Sequence, residues 1–431
     1  MSVAPGCIIA ATQSRSGKTT MTMALMARLR RENISIAPFK AGPDYLDPAW
    51  HREIVKRPSY NLDTFMVGAE ACPTLFHEKR GDALGIVEGV MGLYDGRTGV
   101  GGPGSTADLA RVLKLPVLLV VNVQGMAGSL VPLVQGFTGA AKGFVIAGIL
   151  ANRVGSPEHA RRLAALLLEH HLPPLMGWMG REEELALQER HLGLTLPEET
   201  TPPAWNRLAD ALHLDTVLFS NCFKPLPAQQ GATTVPMPPW LSGKHIAIAR
   251  DAAFNFIYPA NVECLERMGG NIHFFSPLAG DHLPAKCDAV WLPGGYPELH
   301  AETLSQSPTL GVLKEFGQKG GAILAECGGM MVLGNHLVDH QATSWPMAGL
   351  LPMGTTMTPR LAGLGYREEA SGVRGHEFHH SVRDACPLPA AFTLERGDPG
   401  VIWHQIRASY THWYFPSAPR VIAGWLGSDL T

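Results

Sequence analysis

Residues 7–23 read CIIAATQSRSGKTTMTM, an apolar run that ends in Ser16-Gly17-Lys18-Thr19 and then passes into a helical pattern. The run is short and rich in small and β-branched residues, as a buried strand requires. From Thr19 to Leu29 the apolar residues fall on one face of a helix. A strand, a tight loop and a helix N-terminus together make an anion cradle, because backbone N–H groups and the helix dipole converge on one point. The spacing is G-x-x-x-x-G-K-[ST], except that Thr12 stands at the first glycine position. The lysine of such a loop reaches terminal phosphates and the hydroxyl meets Mg²⁺. Thr12, Gln13, Ser14, Arg15, Ser16, Gly17, Lys18, Thr19 and Thr20 are therefore the expected phosphate-cofactor contacts. The competing reading is an ordinary turn with a solvated Lys18.

Outward from this loop, short apolar runs at 7–11, 34–39, 84–88, 117–121 and 143–150 alternate with helical patterns. That rhythm predicts parallel strands joined by crossover helices. Residues 223–243, FKPLPAQQGATTVPMPPWLSG, hold neither period and read as a linker. Alternation restarts after it with HIAIAR, CDAVWLPGG and GGAILAEC. The expected fold is therefore α/β, with two doubly wound parallel-sheet domains over 1–222 and 244–431.

Composition narrows the partners. The 431 residues carry a net charge of −3 with both signs interspersed, which leaves no basic track for a nucleic acid. Seven scattered cysteines include no C-x-x-C pair, so neither a disulfide framework nor a cysteine zinc site is expected, and a reducing cytoplasm fits. The apolar run at 116–122 is too short to span a bilayer, and no membrane partner is expected. A homodimer is compatible with these features.

Two acidic segments belong to the phosphate loop's surroundings. Phe39-Lys-Ala-Gly-Pro-Asp44-Tyr45-Leu46-Asp47-Pro48 follows the second strand as a rigid turn carrying two acids three residues apart. Such acids suit Mg²⁺ ligation or charge pairing, although Asp and Pro are common in any turn. Val87-Glu88-Gly-Val-Met-Gly-Leu-Tyr-Asp95-Gly96 places a carboxylate at the end of a buried strand, where a metal ligand beside a phosphate loop would stand.

The second half offers a nucleophile. In AILAECGGMM, residues 322–331, an apolar strand meets Cys327, two glycines and helical spacing. This elbow pattern exposes a thiol near a helix N-terminus, whose dipole is expected to favour thiolate. A buried packing cysteine is the plainer alternative. The turn Leu292-Pro-Gly294-Gly295-Tyr-Pro-Glu298 ends an earlier strand, and with Gly328 it supplies candidate oxyanion N–H donors. His376-Glu377-Phe378-His379-His380 formally satisfies the zinc motif H-E-x-x-H. Its apolar alternation is that of a strand, which would not present two histidines on one helical face.

Taken together, TQSRSGKTT, FKAGPDYLDP, VEGVMGLYDG, LANRVGS, RHLGL at 190–194 and AECGGM resemble the cobyrinic or hydrogenobyrinic acid a,c-diamide synthases of cobalamin biosynthesis. The resemblance implies a dethiobiotin-synthetase-like ATPase followed by a flavodoxin-like class I glutamine amidotransferase. It assigns Lys18 and Thr19 to ATP phosphates, and Thr19, Asp44 and Glu88 to Mg²⁺. Tyr45, Leu46, Asp47 and Asp95 are assigned to the corrinoid carboxylate, and Asn152 with Arg153 to the nucleotide. It also selects His412, among 18 histidines, as the base for Cys327. Many class I members carry a Glu two residues after that histidine, whereas this chain has Tyr414, so no third catalytic member is assigned.

The implied reaction phosphorylates a corrinoid carboxylate and displaces the phosphate with ammonia drawn from L-glutamine, through an enclosed route. Nickel-sirohydrochlorin a,c-diamide synthase and cobyric acid synthase are the neighbouring alternatives, the latter lacking the PDYLDP turn. A non-enzymatic regulatory ATPase is the alternative from another class.

Overall fold

The computed structural model describes residues 3–181, 205–227 and 236–428, together with the backbone of 189–190 and 193–194. The chain divides into two compact units, Met1–Thr233 and Thr234–Thr431. Both ends of the 223–243 segment are anchored. Phe223 is buried and bridges to Ala4, Arg80 donates to the Leu226 carbonyl (2.9 Å), and Leu241 is buried with its N–H on the Met268 carbonyl.

The first unit is built on an eight-stranded sheet. From one edge its strands are Leu212–Leu214, Leu175–Met179, Ile146–Asn152, Val117–Asn122, Gly6–Ala11, Leu84–Glu88, Ile36–Ala41 and Tyr60–Leu62. All neighbours are parallel except the first pair. Every residue of Gly6–Ala11 and Leu84–Glu88 is buried, because crossover helices cover both faces of a parallel sheet. Three strands end later than their apolar runs predict: 34–39 becomes Ile36–Ala41, 117–121 becomes Val117–Asn122 and 143–150 becomes Ile146–Asn152. The extensions carry Lys40 and Asn152 to the carboxyl edge, where open α/β sheets bind ligands. The helix expected after the loop is Lys18–Arg31. Arg190 and Gly193–Leu194 of the RHLGL stretch lie in a two-stranded ladder, while His191 and Leu192 lie outside the described residues.

The second unit centres on a six-stranded sheet in the order Asn271–Phe275, His245–Ala249, Ala289–Leu292, Ala322–Glu326, Ile406–Ser409 and Val401–Trp403, parallel but for the last pair. Its inner strands alternate between two cores. Val290, Leu292, Ile323 and Ala325 face one, and Ala289, Trp291, Ala322 and Leu324 face the other. Truncating a fully buried leucine such as Leu324 to alanine costs about 2–5 kcal/mol at such a position. Two smaller sheets depart from the pure doubly wound expectation. One has four strands of three residues each; the other is antiparallel and joins Gly363–Glu368, Arg374–His379 and His412–Tyr414. The H-E-x-x-H stretch thus begins in a strand.

Candidate active site

The phosphate loop is closed by a steric lock. Gly17 has φ 86°, in the left-handed region, and a Cβ added there would lie 2.0 Å from Asn152 Nδ2. That amide instead donates to the Ser16 carbonyl at 2.9 Å, so Asn152 braces the loop from the end of the strand two places along the sheet. Arg153 follows with its N–H on Asn152 Oδ1. Thr12 Oγ1 and Ser16 Oγ are 3.4 Å apart across the turn, while Gln13, Ser14 and Arg15 are exposed. No side chain caps the first turn of Lys18–Arg31, which leaves its N–H groups to an anion.

Glu88 is the centre of the charge arrangement. Its Oε1 accepts from Thr19 Oγ1 (2.6 Å), Lys18 Nζ (2.8 Å) and Lys40 Nζ (3.3 Å), and its Oε2 lies 2.8 Å from His51 Nε2. Lys40 Nζ also donates to Asp47 and to the Gly89 carbonyl (3.1 Å), and stands 3.7 Å from Asp44 Oδ2. Although burial works to raise the Glu88 carboxyl, Lys18, Lys40 and His51 hold it well below the usual range. Burial lowers Lys18 against the pull of Glu88, whereas Asp47, Glu88 and Asp44 outweigh burial at Lys40 and raise it. Burial, with Asp44 and Glu88 adding to it, pushes Asp47 up to about 8.

The PDYLDP turn is organised by Asp44, whose Oδ1 accepts from Leu46 N (2.8 Å) and Asp47 N (3.2 Å) and starts the helix Leu46–Val55. Asn61 Nδ2 fastens the turn through the carbonyls of Gly42 (2.8 Å) and Asp44 (2.7 Å). Tyr45 and Leu46 are partly exposed at its tip. Asp47 is not displayed beside them as the turn's sequence suggests: it is 7% exposed and bound to Lys40. Asp95 is exposed and accepts from Gly92 N (2.9 Å). A Cβ at Gly92 would lie 3.2 Å from the Thr12 carbonyl, so the Gly92–Asp95 turn borders the phosphate loop.

Lys40 and His51 are the participants that sequence reasoning passed over. A lysine inside the buried strand IAPFKA was the available signal, since lysine is rarely buried unless paired. His51 carried no comparable signal. The donor set fits a nucleotide with a divalent ion, because a threonine hydroxyl and a carboxylate are hard oxygen ligands and Lys18 is the loop lysine that reaches phosphate.

In the second unit, Cys327 sits between the strand Ala322–Glu326 and the helix Gly328–Leu333 with φ 45° and ψ −109°. A cysteine in this sparsely populated region marks a strained elbow. Its N–H is held on the Ser409 carbonyl at 2.7 Å. The Gly294–Gly295 turn lies against the elbow, since a Cβ at Gly328 would come within 3.3 Å of Gly295 N and 2.7 Å of Pro297 Cδ. His412 reaches the same place: a Cβ at Gly294 would be 2.2 Å from its Cε1. Bare glycine is what admits the imidazole. Cys327, His412 and the candidate oxyanion glycines 294, 295 and 328 are thus gathered at one point.

The electrostatics correct one expectation. The helix after Cys327 has only six residues, and burial, with Glu298 and other acids adding to it, pushes the thiol up. The group is held protonated rather than as thiolate. Burial, with His376 and His379 adding to it, holds His412 well below the usual imidazole range, so it is a neutral base. Neutral thiol beside neutral imidazole is the arrangement from which a proton can pass as sulfur attacks.

Residues 7–194 match the CobQ/CobB/MinD/ParA nucleotide binding domain, and residues 245–419 match the CobB/CobQ-like glutamine amidotransferase domain. The cobyrinate a,c-diamide synthase of Herminiimonas arsenicoxydans is 38% identical over 96% of this chain and 95% of its own. That of Priestia megaterium is 35% identical over 97% and 96%. The hydrogenobyrinate a,c-diamide synthase of Brucella ovis is 40% identical over 87% and 89%. With both domains matched and these identities sustained along nearly the full length, the chain belongs to the cobyrinate and hydrogenobyrinate a,c-diamide synthase family.

Proposed function

We propose that the protein is a carbon–nitrogen ligase that amidates the a and c acetate carboxylates of cobyrinic or hydrogenobyrinic acid, using ATP and L-glutamine. The observation that carries this reading is the coexistence in one chain of a lysine-lined phosphate loop and a cysteine elbow with a neutral histidine, in a family whose members bear that name. Residues 1–222 would hold the amidoligase, 244–431 the glutaminase, and 223–243 the connection.

A carboxylate is a poor acyl donor until one of its oxygens carries a phosphoryl group. Lys18 and the N–H groups of the phosphate loop would hold the transferring phosphoryl group, and Lys40 would balance its charge from the sheet edge. Thr19 and Glu88 would hold Mg²⁺, with Asp44 beside them; bound there, the ion neutralises phosphate oxygens. Tyr45, Leu46 and Asp95 line the rim open to a macrocycle. At the second centre Sγ of Cys327 attacks the glutamine amide, and His412 takes the thiol proton and returns it to the departing nitrogen. Ammonia leaves and a thioester remains for water to cleave.

The chain's small-molecule partners would be a corrinoid and L-glutamine. None of its described helices is long and apolar enough to cross a membrane. We place it in the cytoplasm as a homodimer, which light scattering tests. The deciding experiment incubates cobyrinic or hydrogenobyrinic acid with ATP, Mg²⁺ and glutamine and weighs the products. Two successive amidations are expected; no mass change with either acid overturns the reading.

A further inference from the structure

The His376-Glu377-Phe378-His379 strand was left without a role by the zinc motif, and its position supplies one. Three of its residues each hold one residue of the neighbouring Tyr410–His412 segment. His379 stacks on Tyr410 with ring centroids 3.6 Å apart and planes within 4°. Glu377 Oε1 accepts from Thr411 Oγ1 (3.4 Å), while Arg367 (2.5 Å) and Asp398 N (2.8 Å) fix that carboxylate from behind. His376 is the direct cross-strand partner of His412, and their rings stack at 5.0 Å with planes 20° apart. Behind it, the Tyr258 hydroxyl lies 3.3 Å from His376 Nδ1, with Tyr258 itself packed edge-on to Tyr414 at 5.9 Å. Of these groups, His376 is 5% exposed, Glu377 2%, Tyr258 2% and His412 1%, while His379 is half-buried.

Resting on the glutaminase reading above, we propose that His376 is a positioning residue for the base: its ring, locked by Tyr258, is the plate against which His412 is set toward Cys327. An acid at position 414 would orient the base by accepting a hydrogen bond from its far nitrogen. The phenol of Tyr414 offers no such charge. A stacked ring fixes the imidazole plane by another means. Glu377 and His379 extend the same hold to the two preceding residues, so the whole strand acts as a template for the segment that bears the base.

The test compares His376→Ala and His376→Phe with the wild type, following glutamine hydrolysis and ammonia-dependent amidation. Alanine should lower kcat for glutamine about ten- to a hundredfold, with KM for glutamine within about twofold and the loss confined to the glutamine reaction. Phenylalanine, which keeps a flat ring, should restore kcat to within about threefold of wild type. An alanine variant whose kcat stays within about twofold overturns the proposal, as does a phenylalanine variant as slow as alanine. If the alanine variant does not fold, Tyr258→Phe decides: a fall of about threefold or more in kcat is expected from a loosened His376 ring, and an unchanged kcat overturns the proposal. A wild-type protein that releases no ammonia from glutamine, while His376→Ala folds normally, overturns the glutaminase reading itself.

Discussion

The two centres of this protein solve opposite electrostatic problems. Around Glu88, two lysines, a threonine hydroxyl and a histidine converge on one buried carboxylate. Around Cys327, a thiol pushed up by burial meets an imidazole pushed down by it. The first site holds its charges before any ligand arrives, as befits one that must meet a polyanion. The second keeps both of its partners neutral. One low-dielectric interior does both, because in it paired charges are strengthened and unpaired ones suppressed.

The contrast can be broken most severely at the thiol. Cys327→Ser is expected to lower glutamine-dependent amidation by about 10⁴-fold or more while leaving the ammonia-dependent rate intact, measured with saturating ammonium salt. Equal loss with both donors would end the division of labour. Lys18→Ala should cost about a hundred- to a thousandfold with either donor, since both depend on the phosphoryl group; undiminished turnover with ammonia would remove Lys18 from that role. Lys40→Met sharpens the charged side of the comparison. It leaves Asp47 and Glu88 short of a buried cation and should destabilise the protein by about 3 kcal/mol in urea unfolding, whereas an unchanged midpoint would show that the network carries no stability. The smallest effect is kinetic. Alkylation of Cys327 by iodoacetamide in the absence of glutamine should still be rising at alkaline pH, because only the thiolate reacts and the thiol is raised. A plateau near neutrality would mean that the site is charged after all.

How much of this could be read from the chain depends on where each signal was written. The loop at 12–19 and the elbow at 327 were legible because a phosphate cradle and a strained thiol each need glycine at fixed offsets beside a buried strand. The central parallel strands were legible because sheets covered on both faces leave unbroken apolar runs. By contrast, Leu212–Leu214 and the three-residue strands of the four-stranded sheet are too short to establish a period. Asp47 looked displayed, since a turn's sequence does not reveal that Lys40 has been drawn beneath it. The pairings of His51 and His376 were invisible for a related reason: each meets its partner, Glu88 or His412, across 37 or 36 residues, and only the paired strands and packed helices bring them together.

The depth of Cys327 has a consequence for the protein between turnovers. Peroxide and other oxidants attack thiolate far faster than thiol, and they need access to the sulfur. With 6% of the residue exposed and its proton retained, this cysteine offers little of either. A sulfur so buried, and held as thiol, is shielded from conversion to sulfinic acid.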